Sequence, residues 1–278
     1  MNAGSDNAVV FPGGRRQALP VRLAIFSAVA VAAGLLLSLC VAGQASAQAV
    51  DGLDQGTEIS SHPKKKIHGP SRKGGTYVAR LLIGTAVRRR PGRGKNVWFA
   101  RTHTKWSGAG QRLMVLDSRR ARGETWLKVR LPIRPNNAAG WIPRDRVQLA
   151  HSRRFILVDT SRRLLRVYRN GRVVTRHKVV VGAPSTPTPV GLFALHDRVK
   201  QANPNDFVGS WILTLTAHSR QLRRFDGGDG LVAFHGRGGA SFLDPLGSAR
   251  SHGCIRMNNS RIASLAKAMM GTAVRVQR

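Results

Sequence analysis

The stretch FILVDTSRRLLRVYRNGRVVTRHKVVVG, Phe155 to Gly182, constrains the fold most. Its apolar runs are too short for helices, and two of them meet at Asn170-Gly171. That dipeptide holds positive φ at both central positions of a tight turn, so the segment predicts a β-hairpin. GLFALHD and SWILTLT follow as another strand pair, and LVAFHG is a further strand. One helix is expected, RIASLAKAMM, with Asn258, Asn259 and Ser260 before it as candidate caps. From Thr76 to about Leu149 the chain breaks into TYVARLL, NVWFAR, LMVLD, TWLKVRL, GWIP and RVQL, separated by Gly- and Arg-rich turns. Short strands so spaced predict a small antiparallel β-barrel. The expected fold is therefore all-β, in two modules over 76–150 and 151–278. Hydrophobic residues make up 42% of the 278, enough to bury such cores.

The N-terminus sets the compartment. Arg15, Arg16 and Arg22 precede an uncharged run from Leu23 to Ala42, followed by Ala45-Ser46-Ala47, the small-x-small pattern of signal-peptide cleavage. Residues 1–47 read as a signal peptide; the run is also long enough to span a bilayer, so an uncleaved anchor is the competing reading. Arg15-Arg16 lacks the flanks of a twin-arginine signal. Cys40 follows Leu39, where a lipoprotein site needs a small residue. The bulk of the chain is thus expected outside the cytoplasm: secreted, periplasmic or wall-associated.

Composition then limits partners. Forty-six Lys and Arg against 13 Asp and Glu give a net charge of +33. Outside the cytoplasm such a charge favours anionic envelope polymers over nucleic acid, and contact with membrane only through an uncleaved N-terminal segment. A solvated surface in an Arg-rich protein is the plainer explanation. Residues 48–75, with KKKIHGPSRKGG, carry almost no large apolar side chains and read as a flexible basic linker.

Cleavage after Ala47 leaves Cys254 as the one remaining cysteine, which cannot form an internal disulfide. It lies in Ser251-His252-Gly253-Cys254, sixteen residues after His235, which ends the apolar run Leu231–Phe234. A cysteine paired with histidine can ionise below its free value of about 8.5, and the thiolate is the nucleophile. Gly253 permits a sharp turn, in which the N–H groups of Gly253 and Cys254 can converge on an oxyanion. His252 shares that turn and is poorly aimed at the sulfur. His235 comes from a different strand and is the expected base, leaving His252 to support the substrate carbonyl. Arg256 is a candidate fork for a substrate carboxylate. Taken singly, each residue has a plainer role. A lone cysteine in a β domain is more often a small buried hydrophobe. His235 could equally be a core histidine. A zinc site of His235, His252 and Cys254 lacks a fourth ligand. Pro184, Pro187 and Pro189 mark a rigid loop, structural or substrate-lining, and Asp159 reads as a turn residue.

The pattern His-Gly, then S-H-G-C-I-R-M, resembles the L,D-transpeptidase (YkuD) catalytic domain signature. VVVGAPSTPTPVGLFAL resembles the same family through Gly182, Thr186-Pro187-Thr188-Pro189 and Gly191. The resemblance covers roughly Arg154 to Arg278. It implies a β-sandwich with Cys254 as nucleophile and His235 as the catalytic histidine. Ser251, His252 and Gly253 would support the oxyanion, and Gly236 and Arg256 would line the substrate site. It also implies peptidoglycan stem peptides as substrates, a 3→3 crosslink through a Cys254 thioester, and no metal or organic cofactor. Hydrolysis at the same site, as an L,D-carboxypeptidase, is the neighbouring alternative; a non-catalytic wall-binding protein is the distant one. TWLKVRLP…GWIPRDRVQL similarly resembles the C-terminal half of a bacterial SH3-like domain.

Overall fold

A computed structural model describes residues 57–59 and 67–278 apart from 225–227. The expected export segment over 1–47 lies outside the described residues. Among those described, no helix is long and apolar enough to cross a membrane.

Strands β1 (Thr57–Ile59), β2 (Thr76–Leu81), β3 (Thr85–Arg90), β4 (Arg93–Ala100), β5 (Arg112–Ala121), β6 (Glu124–Arg130), β7 (Ala139–Pro143) and β8 (Val147–Ser152) form one sheet. Its order is β1-β8-β2-β5-β6-β7-β3-β4, antiparallel throughout. Leu81, Val87, Leu113, Leu127, Ile142 and Leu149, from six of those strands, bury themselves in a single cluster. A sheet whose separate strands share one core must curl around it. The expected barrel is realised as this curled sheet, with no ladder pairing β4 back to β1 among the described residues. Each such side chain contributes about 1.5–3 kcal/mol on leaving water.

The second module contains β9 (Arg154–Asp159), β10 (Leu164–Arg169), β11 (Arg172–Lys178), β12 (Val181–Gly182), β13 (Gly191–Lys200), β14 (Trp211–His218), β15 (Leu231–His235), β16 (Ala249–Ser251), β17 (Ile255–Arg256), helix α1 (Asn259–Leu265) and β18 (Ala273–Gln277). The main sheet runs β11-β10-β9-β18-β13-β14-β15-β17, and β12 pairs with β16. The predicted hairpin joins β10 to β11, with Asn170 at φ 51° and Gly171 at φ 84°. Ile156, Phe193, Leu213, Phe234 and Ile255 fill the core beneath, closed by Ile262 and Leu265 of α1. Asp159 is a turn residue, accepting from the Ser161 hydroxyl and the Arg162 N–H.

Three features depart from the sequence expectation. The helix stops at Leu265 rather than Met270, because the N–H groups of Lys267 and Ala268 bond three residues back and tighten the end. The C-terminal AVRVQ forms β18, parallel to β9 and antiparallel to β13, and so ties the sheet's two halves together. The linker read over 48–75 is too long. Ile67 is buried at 2% exposure, its N–H donates to Ser118 Oγ at 2.8 Å, and Ser71 bridges to Gly75.

Both sheets belong to one compact unit, joined by buried polar contacts. The Asp197 carboxylate, with its residue fully buried, accepts from the N–H groups of Trp106 and Ser107 and from the Ser107 hydroxyl. Asn136 exchanges two hydrogen bonds with the backbone of His218, at 2.7 and 2.8 Å. At the other end Thr272 donates to Ser152 and the Ala273 N–H to Thr76.

Candidate active site

Parallel pairing of β15 with β17 sets Phe234 opposite Ile255 and His235 opposite Arg256. Phe234 and Ile255 point into the core at 0% exposure. Alternation along a strand then places Ala233, His235, Cys254 and Arg256 on the opposite face. Cys254 is half-buried and immediately precedes β17.

The turn before it is held from two sides. Ser251 Oγ donates to the Cys254 carbonyl at 2.5 Å and accepts from the Gly253 N–H at 3.1 Å. Gly253 sits at φ 116°, a conformation that side chains resist, so glycine is required here. From outside, the proline-rich loop clamps the turn. The Thr188 hydroxyl donates to the Gly253 carbonyl and accepts from the Gly182 N–H, both at 2.9 Å. The Thr186 hydroxyl and the Ala183 N–H both donate to the Ser251 carbonyl. The proline loop is thus the scaffold of the Ser251–Cys254 turn, a role its sequence left open.

His235 is 4% exposed and its Nδ1 donates to the Gly236 carbonyl at 2.8 Å. Burial, with the nearby Arg256 charge, drives its imidazole down to about 4, against which the Gly236 and Val208 backbone groups act weakly. It is therefore neutral at pH 7. Burial pushes the Cys254 thiol up, while the Ala233 backbone and Arg256 favour the thiolate without reversing the direction. The sequence expectation of a depressed thiol is corrected: low-dielectric surroundings disfavour both charged forms, so the resting pair is thiol and imidazole.

Arg256 does not present an open fork. It is 4% exposed, bonds Asp244 through Nη1 at 2.6 Å, and lies 4.6 Å from the centre of the Phe207 ring. The Phe207 ring lies 6.2 Å from His235, so Arg256 and His235 share this aromatic neighbour. Its structural part is to bias both titrating groups. His252 is exposed, whereas His235 is buried. Gly236 is a packing position, since a Cβ there would meet Asn259 Oδ1 at 2.1 Å. Asn259, expected as a cap, instead links four backbone groups. It accepts from the Ser210 and Arg237 N–H groups and donates to the Pro204 and Arg237 carbonyls. Asn258 occupies the cap position without a side-chain bond. Asp244 and Phe207 carried no sequence signal; their partners lie 12 and 28 or more positions away along the chain. Among the described residues, no group of three His, Cys, Asp or Glu side chains is placed to hold a metal ion.

Residues 153–276 match the family of the L,D-transpeptidase catalytic domain, YkuD. A putative L,D-transpeptidase YkuD of Bacillus licheniformis is 32% identical over 111 residues, 40% of this chain and 57% of the relative. The Bacillus subtilis protein described in the same words is 30% identical over 124 residues, 44% of this chain and 65% of the relative. The chain thus spans less than two thirds of either relative. Among solved structures, L,D-transpeptidase 3 from Mycobacterium tuberculosis aligns over 72% of this chain and 95% of its own, at 13% identity and TM-score 0.39. An Enterococcus faecium L,D-transpeptidase mutant aligns over 45% and 49%, at 23% identity and TM-score 0.32.

Proposed function

We propose that this chain, which carries an L,D-transpeptidase catalytic domain of the YkuD family over residues 153–276, crosslinks peptidoglycan stem peptides outside the cytoplasm. The carrying observation is the parallel β15–β17 pair, which sets Cys254 and His235 on one face behind a turn tied by Ser251 and Thr188. His235 is neutral and its Nδ1 is committed to Gly236. Its other nitrogen is the proton acceptor as the Cys254 sulfur attacks the carbonyl of a diaminopimelate-type residue in a stem tetrapeptide. The tetrahedral oxyanion forms beside the Cys254 N–H group; the Gly253 N–H, also expected to serve it, is instead taken by Ser251 Oγ. Its collapse breaks the C–N bond, expels D-alanine as the amine with the proton from His235, and leaves a thioester. A side-chain amine of a neighbouring stem then displaces sulfur and closes a 3→3 crosslink.

The module over 76–150, read as SH3-like, serves in this account to hold the polymeric substrate, aided by the basic surface. Muropeptides incubated with protein, with and without an acceptor amine, test the reading by mass spectrometry. A crosslinked dimer with D-alanine release supports transfer. Release without dimer assigns the site to hydrolysis, and no release removes the activity.

A further inference from the structure

A cleft of 1580 Å³ opens between the two sheets, away from Cys254. That exceeds the roughly 300–1,000 Å³ of a small-molecule pocket and suits a stretch of polymer. Three aromatic side chains line it: Trp98, Phe99 and Trp106, with Phe99 57% exposed. Four cations join them, Arg101 and Lys105 from the first module and Arg223 and Arg224 from the second, all exposed. Lys105 Nζ stands 4.5 Å over the Trp106 ring, so cation and aromatic face form one surface.

The cleft is built rather than incidental. The loop bearing Lys105 and Trp106 is fastened to the second module by the buried Asp197 carboxylate. Two wall residues, Gln111 and His196, are 3% and 8% exposed, yet Gln111 Nε2 and His196 Nδ1 have no hydrogen-bond partner. Buried polar nitrogens left unpaired are uncommon, and these two lie behind the cleft wall. Flat aromatic faces stack on sugar rings, and four cations against Asp229, itself paired with His218, demand an anion.

We propose that this cleft binds a glycan strand carrying carboxylates. The choice of a glycan rests on the wall-peptide reading and on one geometric link. Strand β15 begins in the cleft at Leu231 and ends at His235, about 13 Å on at 3.3 Å per residue. A polymer held at Leu231 points its side branches toward His235 at the other end of the same strand, beside which β17 and the preceding Cys254 run.

The test uses the Cys254→Ala chain, whose Trp98 and Trp106 report binding by fluorescence. The ligands are solubilised glycan strands with stem peptides, the same strands stripped of stems, a polyol-phosphate polymer and a single-stranded oligonucleotide. The variants are Arg101→Ala with Lys105→Ala, Arg223→Ala with Arg224→Ala, and Phe99→Ala. Arg172→Ala with Arg176→Ala on the exposed β11, at the far edge of the sheet, is the control. The stem-bearing strands bind tightest, and each cleft variant weakens them about tenfold or more while the control does not. In the Cys254-containing chain the same variants raise KM for the strands and leave turnover of a free tetrapeptide unchanged. Equal binding by cleft variants and native chain overturns the inference. So does tighter, cleft-dependent binding of the phosphate polymer or the oligonucleotide. Cleft-dependent glycan binding without tetrapeptide turnover keeps the inference and rejects the activity; turnover with cleft-independent binding does the reverse.

Discussion

Thr188→Val removes one hydroxyl and leaves the shape of the side chain nearly intact. That hydroxyl, on a residue 5% exposed, joins the Gly182 N–H to the Gly253 carbonyl by two 2.9 Å bonds. The substitution strands a donor and an acceptor in a buried turn, at about 1–3 kcal/mol each, with a small return from the added methyl. The expected loss is about 2–4 kcal/mol, a large share of the roughly 5–15 kcal/mol that stabilises a folded domain. The Gly253 carbonyl lies one residue before Cys254, so the turn at φ 116° is also freed to relax. Acylation of Cys254 by a carbapenem, followed by intact mass, slows about tenfold, the equivalent of roughly 1.4 kcal/mol in the barrier. Thr188→Ser keeps both bonds and costs only about 1 kcal/mol for a lost methyl. Urea denaturation and acylation kinetics on the three proteins measure both effects. Thr188→Val within about 0.5 kcal/mol of the native chain and acylating at the native rate would refute the clamp.

Other substitutions and pH changes probe the same site. Asn259→Ala leaves the Ser210 and Arg237 N–H groups without their shared acceptor, and lowers stability by about 2–4 kcal/mol in urea denaturation; an unchanged midpoint contradicts this. Because burial raises the Cys254 thiol, its alkylation by iodoacetamide climbs only above the ordinary thiol range near pH 8.5, whereas a plateau at pH 7 denotes a depressed thiol. His235 and His196 are both held down to about 4. Their folded forms resist protonation, so the stability they confer is present above about pH 6.5 and is lost as pH falls through 4. Each accounts for about 3 kcal/mol. Urea midpoints drop steeply between pH 6 and 4, and a flat profile is the contrary result.

How much of this was legible in the sequence depended on the range of the contact. Asn170-Gly171 acts within four residues, so its turn was readable outright. Cys254 and His235 were singled out because both belong to short motifs, and β17, which Cys254 precedes, pairs with the strand that His235 ends. The thiol's direction was misread, since burial is a property of the assembled core and no pair of residue letters carries it. Arg256 was read as open because Asp244 and Phe207 reach it only through the intervening loops. Ile67 was assigned to a linker because one apolar residue among lysines shows no periodicity, yet it packs into the first module's core and its N–H bonds Ser118. Strand β18 was legible in the alternation of AVRVQ and was overlooked beside the stronger helix signal.

The central claim is that Cys254 forms a covalent intermediate with a stem peptide. Mass spectrometry of muropeptides incubated with the native chain and with Cys254→Ala tests it most directly. The account predicts D-alanine release and a crosslinked dimer with the native chain, and neither with the variant. Identical products from both proteins would contradict it.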